Sequence, residues 1–174
     1  MSAAVRIPER LSWMRELLDP RPADAVLELG CGNGVLAALL LPALPRGHYL
    51  GLDRSPSAIA ASVWRNSDAV ASGAAGFRVA DIAKAEPERR YDIIVAVNLN
   101  LFWTGDAPEL ARMREWLAPR GRLYLAYQPP GADALVRIEA ALRANLTRQG
   151  YALSEIRRAP LRPVPALCAI AGLA

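Results

Sequence analysis

The segment 26–40, VLELGCGNGVLAALL, constrains the fold of this chain more than any other stretch. A short apolar run ends near Glu28, glycines follow at alternate positions, and an apolar pattern of helical period begins at once. Gly30, Gly32 and Gly34 permit positive φ and let the backbone approach a ligand without a Cβ in the way. The helix that begins directly after them directs unpaired N–H groups to the same place. This order predicts the first unit of a nucleotide-binding βαβ fold.

Length and hydropathy set the size of the fold and bear on its location. The chain has 174 residues, which predicts a single domain with an N-terminal helix and connection over 1–22 and an α/β core over 23–174. Hydrophobic residues make up 53% of the sequence, yet no apolar run approaches the roughly 20 residues that span a bilayer. Charges occupy the N-terminal positions where a signal peptide needs an apolar region. We therefore expect a cytoplasmic protein without a membrane span.

The chain contains 2 cysteines and 1 histidine. Cys31 lies inside the glycine turn and Cys168 lies in an apolar C-terminal run, so neither is typical of a structural disulfide. These few sulfur and imidazole groups also argue against a zinc site. No acidic cluster follows the fourth predicted strand, so we predict no metal site of any kind.

The net charge of +4 raises the question of a nucleic-acid partner. Arginines are spread singly along the chain, however, and Lys84 is the only lysine. The doublets at 89–90 and 157–158 are no larger than ordinary solvated faces. The charge pattern therefore disfavours a nucleic-acid acceptor.

Strand and helix patterns alternate along the chain until two strands close it without a helix between them. The second helix must end by Pro42 or Pro45, and Asp106 with Glu109 has the spacing of a capping box for the fourth. The predicted strands are 25–29, 48–53, 76–80, 91–98, 121–127, 151–158 and 164–172. The other predicted helices are 7–18, 55 to about 72, and 133–149.

This alternation predicts an α/β, doubly wound, Rossmann-like sheet with right-handed crossovers and helices on both faces. The closing hairpin can join such a sheet only if one of its strands runs antiparallel. The apolar strands 25–29, 91–98 and 121–127 fit a sheet buried on both faces.

Ligands in an open α/β sheet bind at the carboxyl ends of the strands. Asp53 ends the second predicted strand, where it can accept hydrogen bonds from both hydroxyls of a ribose. Asp81 follows the third and can accept from an exocyclic adenine amine, with Ile82 and Arg54 able to flank the ring. The Glu28 carboxylate can reach an ammonium group, and the backbone carbonyl of Asn98 can do the same.

The glycine turn alone leaves two ligand classes open. Residues 32–37 fit G-x-G-x-x-A, and an acid follows about twenty residues on, as in dinucleotide-binding proteins. Against that class, Glu28 precedes the glycines, the glycines stand at alternate positions, and Asp81 supplies a second acid after the third strand. Together these features favour a different adenosine-containing ligand.

Five segments carry a resemblance to the class I S-adenosylmethionine-dependent methyltransferases. ELGCGNG at 28–34 resembles their motif I, and YLGLDRSPSAI at 49–59 is similar to their second-strand motif. FRVADI at 77–82 and YDIIVAVN at 91–98 resemble the third- and fourth-strand motifs, and WLAPRGRLYLAY at 116–127 the approach to strand 5. The resemblance implies a seven-stranded sheet of order 3-2-1-4-5-7-6 with strand 7 antiparallel.

The resemblance also implies the cofactor, S-adenosyl-L-methionine, and its product, S-adenosyl-L-homocysteine. It assigns the glycines of the turn to the methionine portion, Asp53 to the ribose, Asp81 to the adenine amine, and Asn98 to the neighbourhood of the methionine group. Arg54 departs from the apolar residue that is usual in the family, although an arginine can stack on a purine. The predicted cofactor-binding residues are Glu28, Gly30, Cys31, Gly32, Gly34, Asp53, Arg54, Asp81, Ile82 and Asn98.

The acceptor side begins after the fourth strand, where the sequence reads NLNLFWTGD rather than the [DNS]-P-P-[YFW] pattern of amino-methylating nucleic-acid enzymes. Its apolar residues either form a wall suited to a small organic acceptor or pack beneath the following helix; they are Leu99, Leu101, Phe102 and Trp103. Tyr127 and Gln128 end strand 5 on the same side, and either could orient an acceptor.

No general base is evident, because His48 opens the second strand at the edge opposite the cofactor. Asn100, Trp103 and Tyr127 are the candidate catalytic residues. The leading hypothesis is methyl transfer to a small organic acceptor. The alternatives are a protein or nucleic-acid acceptor, cofactor binding without transfer, and a nicotinamide-dependent oxidoreductase. Since no lid is inserted, the open site would suit either an acceptor on a carrier or partner, or a homodimer that completes the pocket.

Overall fold

The computed structural model describes residues 7–174, which contain seven strands. The strands are β1 (Ala25–Leu29), β2 (His48–Asp53), β3 (Ala75–Val79), β4 (Tyr91–Val97), β5 (Leu117–Tyr127), β6 (Tyr151–Ala159) and β7 (Ala166–Leu173). They form one sheet of order β3-β2-β1-β4-β5-β7-β6. β7 runs antiparallel to both its neighbours, β5 and β6, whereas the remaining pairs are parallel. The predicted fold class, strand order and antiparallel strand are therefore confirmed.

Helices cover both faces of this sheet. α1 and α2 pack on one face, and α5 and α6 pack on the other. The helices are α1 (Glu9–Leu18), α2 (Val35–Leu40), α3 (Pro56–Arg65), α4 (Ser67–Ala71), α5 (Glu109–Trp116) and α6 (Ala134–Arg148). Within residues 7–174, none of them is both long and apolar enough to cross a bilayer.

Side chains that alternate between the two faces of the sheet let β1 contribute to the hydrophobic core on each face. Val26 packs with α1 and α2, whereas Leu27 and Leu29 point to the opposite face and pack with α5 and α6. All three side chains are fully buried, which contributes about 1.5–3 kcal/mol for each. Glu28 shares the face of Val26, so the acid of the motif enters the core beneath the glycine turn.

The helix predicted from 55 to about 72 is two helices, α3 and α4, with a break at Asn66. Ser55 caps α3 as expected, since its side-chain oxygen accepts the Ala58 N–H. At the break, the Asn66 side chain donates to the carbonyls of Gly34 and Ser62 at 3.1 and 2.9 Å. The glycine turn, which is distant in sequence, therefore sets the point at which α3 ends.

The predicted capping box at Asp106 is wrong. α5 begins at Glu109, and Pro108 precedes it without a side-chain cap. The Asp106 carboxylate instead forms an ion pair with Arg148 at 2.6 Å, near the end of α6.

Two elements begin at other residues than predicted. α1 begins two residues later, after Pro8, and β5 begins four residues earlier, at Leu117. Residues 1–6, on which much of the signal-peptide expectation depends, lie outside the described part of the chain.

Candidate active site

The glycine turn after β1 is held from both sides. Gly30 N–H donates to the Leu52 carbonyl at 2.8 Å, and the Ser62 hydroxyl donates to the Gly32 carbonyl at 2.8 Å. Gly34 has φ +72°, and a Cβ there would lie 2.6 Å from the Asn66 amide nitrogen. Gly32, at φ +54°, has nothing within 4 Å of such a Cβ. The turn is therefore packed at its helix end and open beside Gly32.

Asp53, at the end of β2, binds the same turn. One carboxylate oxygen accepts the Gly32 N–H and the other accepts the Ser55 N–H, both at 2.9 Å. A carboxylate offers about four lone-pair sites. Two of them remain for a ligand, and Asp53 lines the adjacent cavity.

A cavity of about 560 Å³ opens at the carboxyl ends of β1 to β4. It brings together six of the residues predicted to bind the cofactor, from four separate segments of the chain. Those residues are Gly30, Asp53, Arg54, Asp81, Ile82 and Asn98. The remaining lining residues are Ala80, Val97, Leu99, Asn100, Leu101 and Thr104.

A second cavity of about 160 Å³ lies beside the first, between the glycine turn and α1. The two cavities share Gly30, Val97 and Asn98. Besides these, the second cavity is lined by Arg10, Leu11, Glu28, Cys31, Gly32, Asn33, Val35 and Leu36. Of the ten predicted residues, Gly34 is the one that lines neither cavity, since it packs against Asn66 and Ser62 instead.

Glu28 is a buried acid at the floor of the smaller cavity, with 3% of its surface exposed. The Tyr49 hydroxyl donates a hydrogen bond to its carboxyl group. Burial raises the pKa of Glu28 to about 8, the Asp53 charge adds to that rise, and the bond from Tyr49 opposes it. At neutral pH the carboxyl is therefore largely protonated.

Cys31 is buried next to Glu28. Burial, followed by the negative charge of Glu28, raises the pKa of the Cys31 thiol to about 12. Because the thiolate is the reactive form, this cysteine is not an activated nucleophile. It contributes van der Waals surface to the smaller cavity.

Asn98 begins a chain of hydrogen bonds that joins the loops around the cavity mouth. Its side-chain oxygen accepts the Gln128 N–H at 2.7 Å. The Gln128 side chain donates to the carbonyls of Arg162 and Val164 at 3.1 and 2.9 Å, and the Arg162 N–H donates to the Glu9 carboxylate at 3.2 Å. Both side-chain N–H groups of Gln128 are therefore used to hold the loop between β6 and β7.

Of the three candidate catalytic residues, Tyr127 lines neither cavity. Its side chain is buried, and its hydroxyl donates to the Leu99 carbonyl at 2.7 Å. Burial also raises the pKa of Tyr127. Alternation along β5 turns this side chain under the loop that follows β4, where its hydroxyl supports that loop. A catalytic role for Tyr127 stays a prediction.

Asn100 and Trp103 form a hydrogen-bonded pair in the loop that follows β4. The Trp103 indole N–H donates to the Asn100 side-chain oxygen at 3.2 Å, and the Arg137 guanidinium lies 5.7 Å from the Trp103 ring centroid. Asn100 lines the larger cavity, whereas Trp103 does not. Among the apolar residues around them, Phe102 is fully buried in the core, while Leu99 and Leu101 line the cavity.

Arg10, Leu11 and Thr104 line the cavities but were not named individually from the sequence, which predicts only that helix 7–18 and loop 99–107 form part of the rim. No local motif marks them, because they reach the cavities only when α1 docks on α2 and when the loop after β4 folds back. The amphipathic pattern of α1 was the one available signal.

His48 lies at the end of β2 that is opposite to Asp53, as predicted. Across residues 7–174, no three His, Cys, Asp or Glu side chains are grouped so as to hold a metal ion.

A sheet of this order, with a glycine turn after β1 and acids after β2 and β3 around one cavity, defines the class I S-adenosylmethionine-dependent methyltransferases. Residues 27–123, more than half of the chain, match the family model described as a methyltransferase domain. The chain belongs to this family, and S-adenosylmethionine is accordingly its cofactor.

Curated relatives share this domain but are longer. The release factor glutamine methyltransferase of Cereibacter sphaeroides is 34% identical over 97% of this chain and 66% of its own length. The trans-aconitate 2-methyltransferase of Streptomyces avermitilis is 34% identical over 64% of this chain and 41% of its own length. This chain therefore spans less than two thirds of either relative.

A solved structure shares the fold over nearly the whole chain. The magnesium protoporphyrin IX methyltransferase of Synechocystis PCC 6803, with bound S-adenosylhomocysteine, has a TM-score of 0.75 at 19% identity. The match covers 95% of this chain and 82% of that one.

Proposed function

We propose that this chain transfers the methyl group of S-adenosylmethionine to a small organic acceptor. The observation that carries the proposal is the junction of the two cavities at Gly30, Val97 and Asn98. A nucleoside in the larger cavity and an amino-acid chain in the smaller one would bring their connecting sulfur to this junction, beside the open rim.

The residues of the larger cavity fit the nucleoside. Asp53 keeps two lone-pair sites for the ribose hydroxyls, and the Asp81 carboxylate can accept from the adenine amine. Arg54 and Ile82 stand on the lining as the groups that would flank the ring. An arginine can stack on a purine face, so the departure from the family pattern at position 54 is compatible with this role.

The residues of the smaller cavity fit the methionine portion. Glu28 supplies a carboxyl group for the ammonium, and the backbone carbonyl of Asn98 can accept from it as well. Arg10 lines the same cavity and, among residues 7–174, forms no ion pair. We assign its guanidinium to the methionine carboxylate, for which a forked donor is well suited.

The cofactor, when bound, supplies a methyl group on a positively charged sulfur. The chain supplies alignment: the rim residues Asn98, Leu99 and Asn100 position the acceptor atom at the junction. Positioning of two reactants can contribute about 7–11 kcal/mol to lowering the barrier. A general base typically accelerates a reaction 10²–10⁴-fold, which corresponds to about 2.7–5.4 kcal/mol of the barrier. Alignment is therefore the larger effect here.

A small acceptor is supported by the apolar lining from Leu99 and Leu101 and by the name of the trans-aconitate relative. The sequence Asn98-Leu99-Asn100-Leu101 also lacks the paired prolines of the amino-methylating pattern. The runner-up is a protein acceptor, which is favoured by the release factor relative, because that relative aligns with 97% of this chain.

The test has a binding step and a transfer step. Calorimetry should detect S-adenosylhomocysteine binding, and NAD should give no signal. Methyl-labelled S-adenosylmethionine should then label a small-molecule fraction of a bacterial extract rather than its protein or nucleic-acid fraction. Label in protein would favour the runner-up, and binding without label in any fraction would contradict methyl transfer.

A further inference from the structure

We infer that the acceptor atom is a carboxylate oxygen, so that the product is a methyl ester and Asn98 and Asn100 bind the acceptor through their side-chain N–H groups. This inference rests on the proposed function and specifies its substrate class. It depends on the orientation of these two amides, which the hydrogen bonds around the rim determine.

Each amide oxygen is already bound to a donor. The Asn98 oxygen accepts the Gln128 N–H at 2.7 Å, and the Asn100 oxygen accepts the Trp103 indole N–H at 3.2 Å. A reversed amide would place donor against donor at each site. The orientation is therefore fixed, and neither side-chain nitrogen has a hydrogen-bond partner within residues 7–174.

Asn98 and Asn100 both line the larger cavity, and Asn98 also lies at its junction with the smaller one. Both side chains can therefore donate hydrogen bonds to an incoming acceptor, while both side-chain oxygens are occupied. An amine or amide acceptor needs an oxygen to hold its N–H groups, and the Asn98 oxygen is committed to Gln128. A carboxylate needs only donors.

Proton balance leads to the same substrate class. Alcohols, phenols and ammonium groups must lose a proton to become nucleophiles at neutral pH, whereas a carboxylate is ionised already. The acids that line the cavities are Asp53, Asp81 and Glu28; the first two are hydrogen-bonded to backbone N–H groups at the nucleoside end, and Glu28 is beneath the turn. Asn98, Asn100 and the buried Tyr127 cannot accept a proton either.

The resulting step balances without a base. A lone pair of the carboxylate oxygen forms the new O–C bond to the methyl carbon, and the C–S bond breaks with its electron pair moving to sulfur. The products are a methyl ester and S-adenosylhomocysteine. No proton is released, and no other reactant is consumed.

The experiment separates this inference from the proposed function by the chemistry of the product. A small-molecule extract is labelled with methyl-tritiated S-adenosylmethionine and then treated with alkali, which hydrolyses methyl esters to volatile methanol. We expect most of the label to become volatile. Label that resists alkali would overturn the carboxylate acceptor and leave methyl transfer intact, whereas S-adenosylhomocysteine binding without any label would overturn both.

Two isosteric variants test the amides. Asn98→Asp and Asn100→Asp keep an oxygen for the Gln128 and Trp103 donors but replace the free N–H₂ with a negatively charged oxygen. The rate of alkali-labile labelling should fall at least about tenfold in each. Gln149→Glu, at the end of α6, adds the same charge away from the cavities and should retain the rate.

Binding of S-adenosylhomocysteine to Asn100→Asp, measured by calorimetry, should stay within about threefold of the unmodified chain. This readout separates loss of the acceptor contact from damage to the cofactor site. Alkali-labile labelling at an unchanged rate in both variants would overturn the role of the amides.

Discussion

Binding of S-adenosylhomocysteine should release close to one proton from Glu28 at pH 7. With the site free, burial holds the pKa of this carboxyl at about 8, so about 90% of the molecules carry the proton. An α-ammonium group beside the carboxyl stabilises its charged form and brings the pKa back toward 4.5, its ordinary value. The expected release is therefore about 0.9 proton for each ligand bound.

The same linkage sets the pH dependence of affinity. Because the proton must leave for the ion pair to form, affinity should rise with pH up to about 8, the pKa of Glu28 in the free site, and level off above it. The slope should approach tenfold for each pH unit below that point. Calorimetry at pH 7 in buffers of different ionisation enthalpy measures the released proton directly, as the slope of the observed enthalpy against the buffer enthalpy.

Glu28→Gln is the matched control, because glutamine preserves the shape of the protonated acid and can still accept from Tyr49. In this variant the buffer dependence should disappear. Urea denaturation without ligand gives a second readout. The unfolded chain loses the Glu28 proton near pH 4.5, whereas the folded chain keeps it until about pH 8. As the pH rises between these two values, the free energy of unfolding should therefore fall by up to about 1.4 kcal/mol per pH unit. The Glu28→Gln variant should lack this fall. A buffer-independent enthalpy in the unmodified chain would refute the contact between Glu28 and the ammonium.

Asp53→Ala should weaken binding of both S-adenosylhomocysteine and 5′-methylthioadenosine tenfold or more in calorimetry, since each hydrogen bond to a charged group is worth about 1.5–3 kcal/mol; an unchanged dissociation constant would contradict the ribose contact. Arg10→Gln should weaken S-adenosylhomocysteine about tenfold but leave 5′-methylthioadenosine, which lacks the methionine carboxylate, unaffected; equal losses for the two ligands would rule out our assignment. Gly34→Ala and Gly32→Ala both place alanine at positive φ, at about 1–2 kcal/mol each, but only the first displaces the Asn66 amide. Urea denaturation without ligand should therefore show the larger loss in Gly34→Ala, and equal losses would argue against the packing role of that glycine.

The sequence predicted the sheet well because its signals are local. β1 and β2 have the predicted bounds, since each is a short buried run that ends at an acid or a glycine turn. The same signals brought the residues predicted to bind the cofactor close together, because parallel strands deliver their carboxyl ends to one edge of the sheet. Nine of the ten residues predicted to bind the cofactor line at least one of the two cavities.

The incorrect predictions involve contacts between residues that are distant in sequence. Asp106 has the spacing of a helix cap, but its carboxylate is drawn to Arg148 on another helix. Asn66 interrupts a run with good helical periodicity, because its side chain binds the glycine turn. The burial of Tyr127 was likewise not evident from its place at a strand end, because the direction of its side chain depends on the register of β5 within the sheet.

The bonds that Gln128 donates to the loop between β6 and β7 have a consequence for altering the protein. They reach the carbonyls of Arg162 and Val164, which every amino acid possesses. The side chains of this loop that are not prolines, at positions 161, 162 and 164, can therefore be exchanged while its backbone stays attached to the end of β5. Because none of residues 160–165 lines either cavity, a library of substitutions at these three positions would vary the surface of the loop while the candidate methyl-donor site stays unchanged.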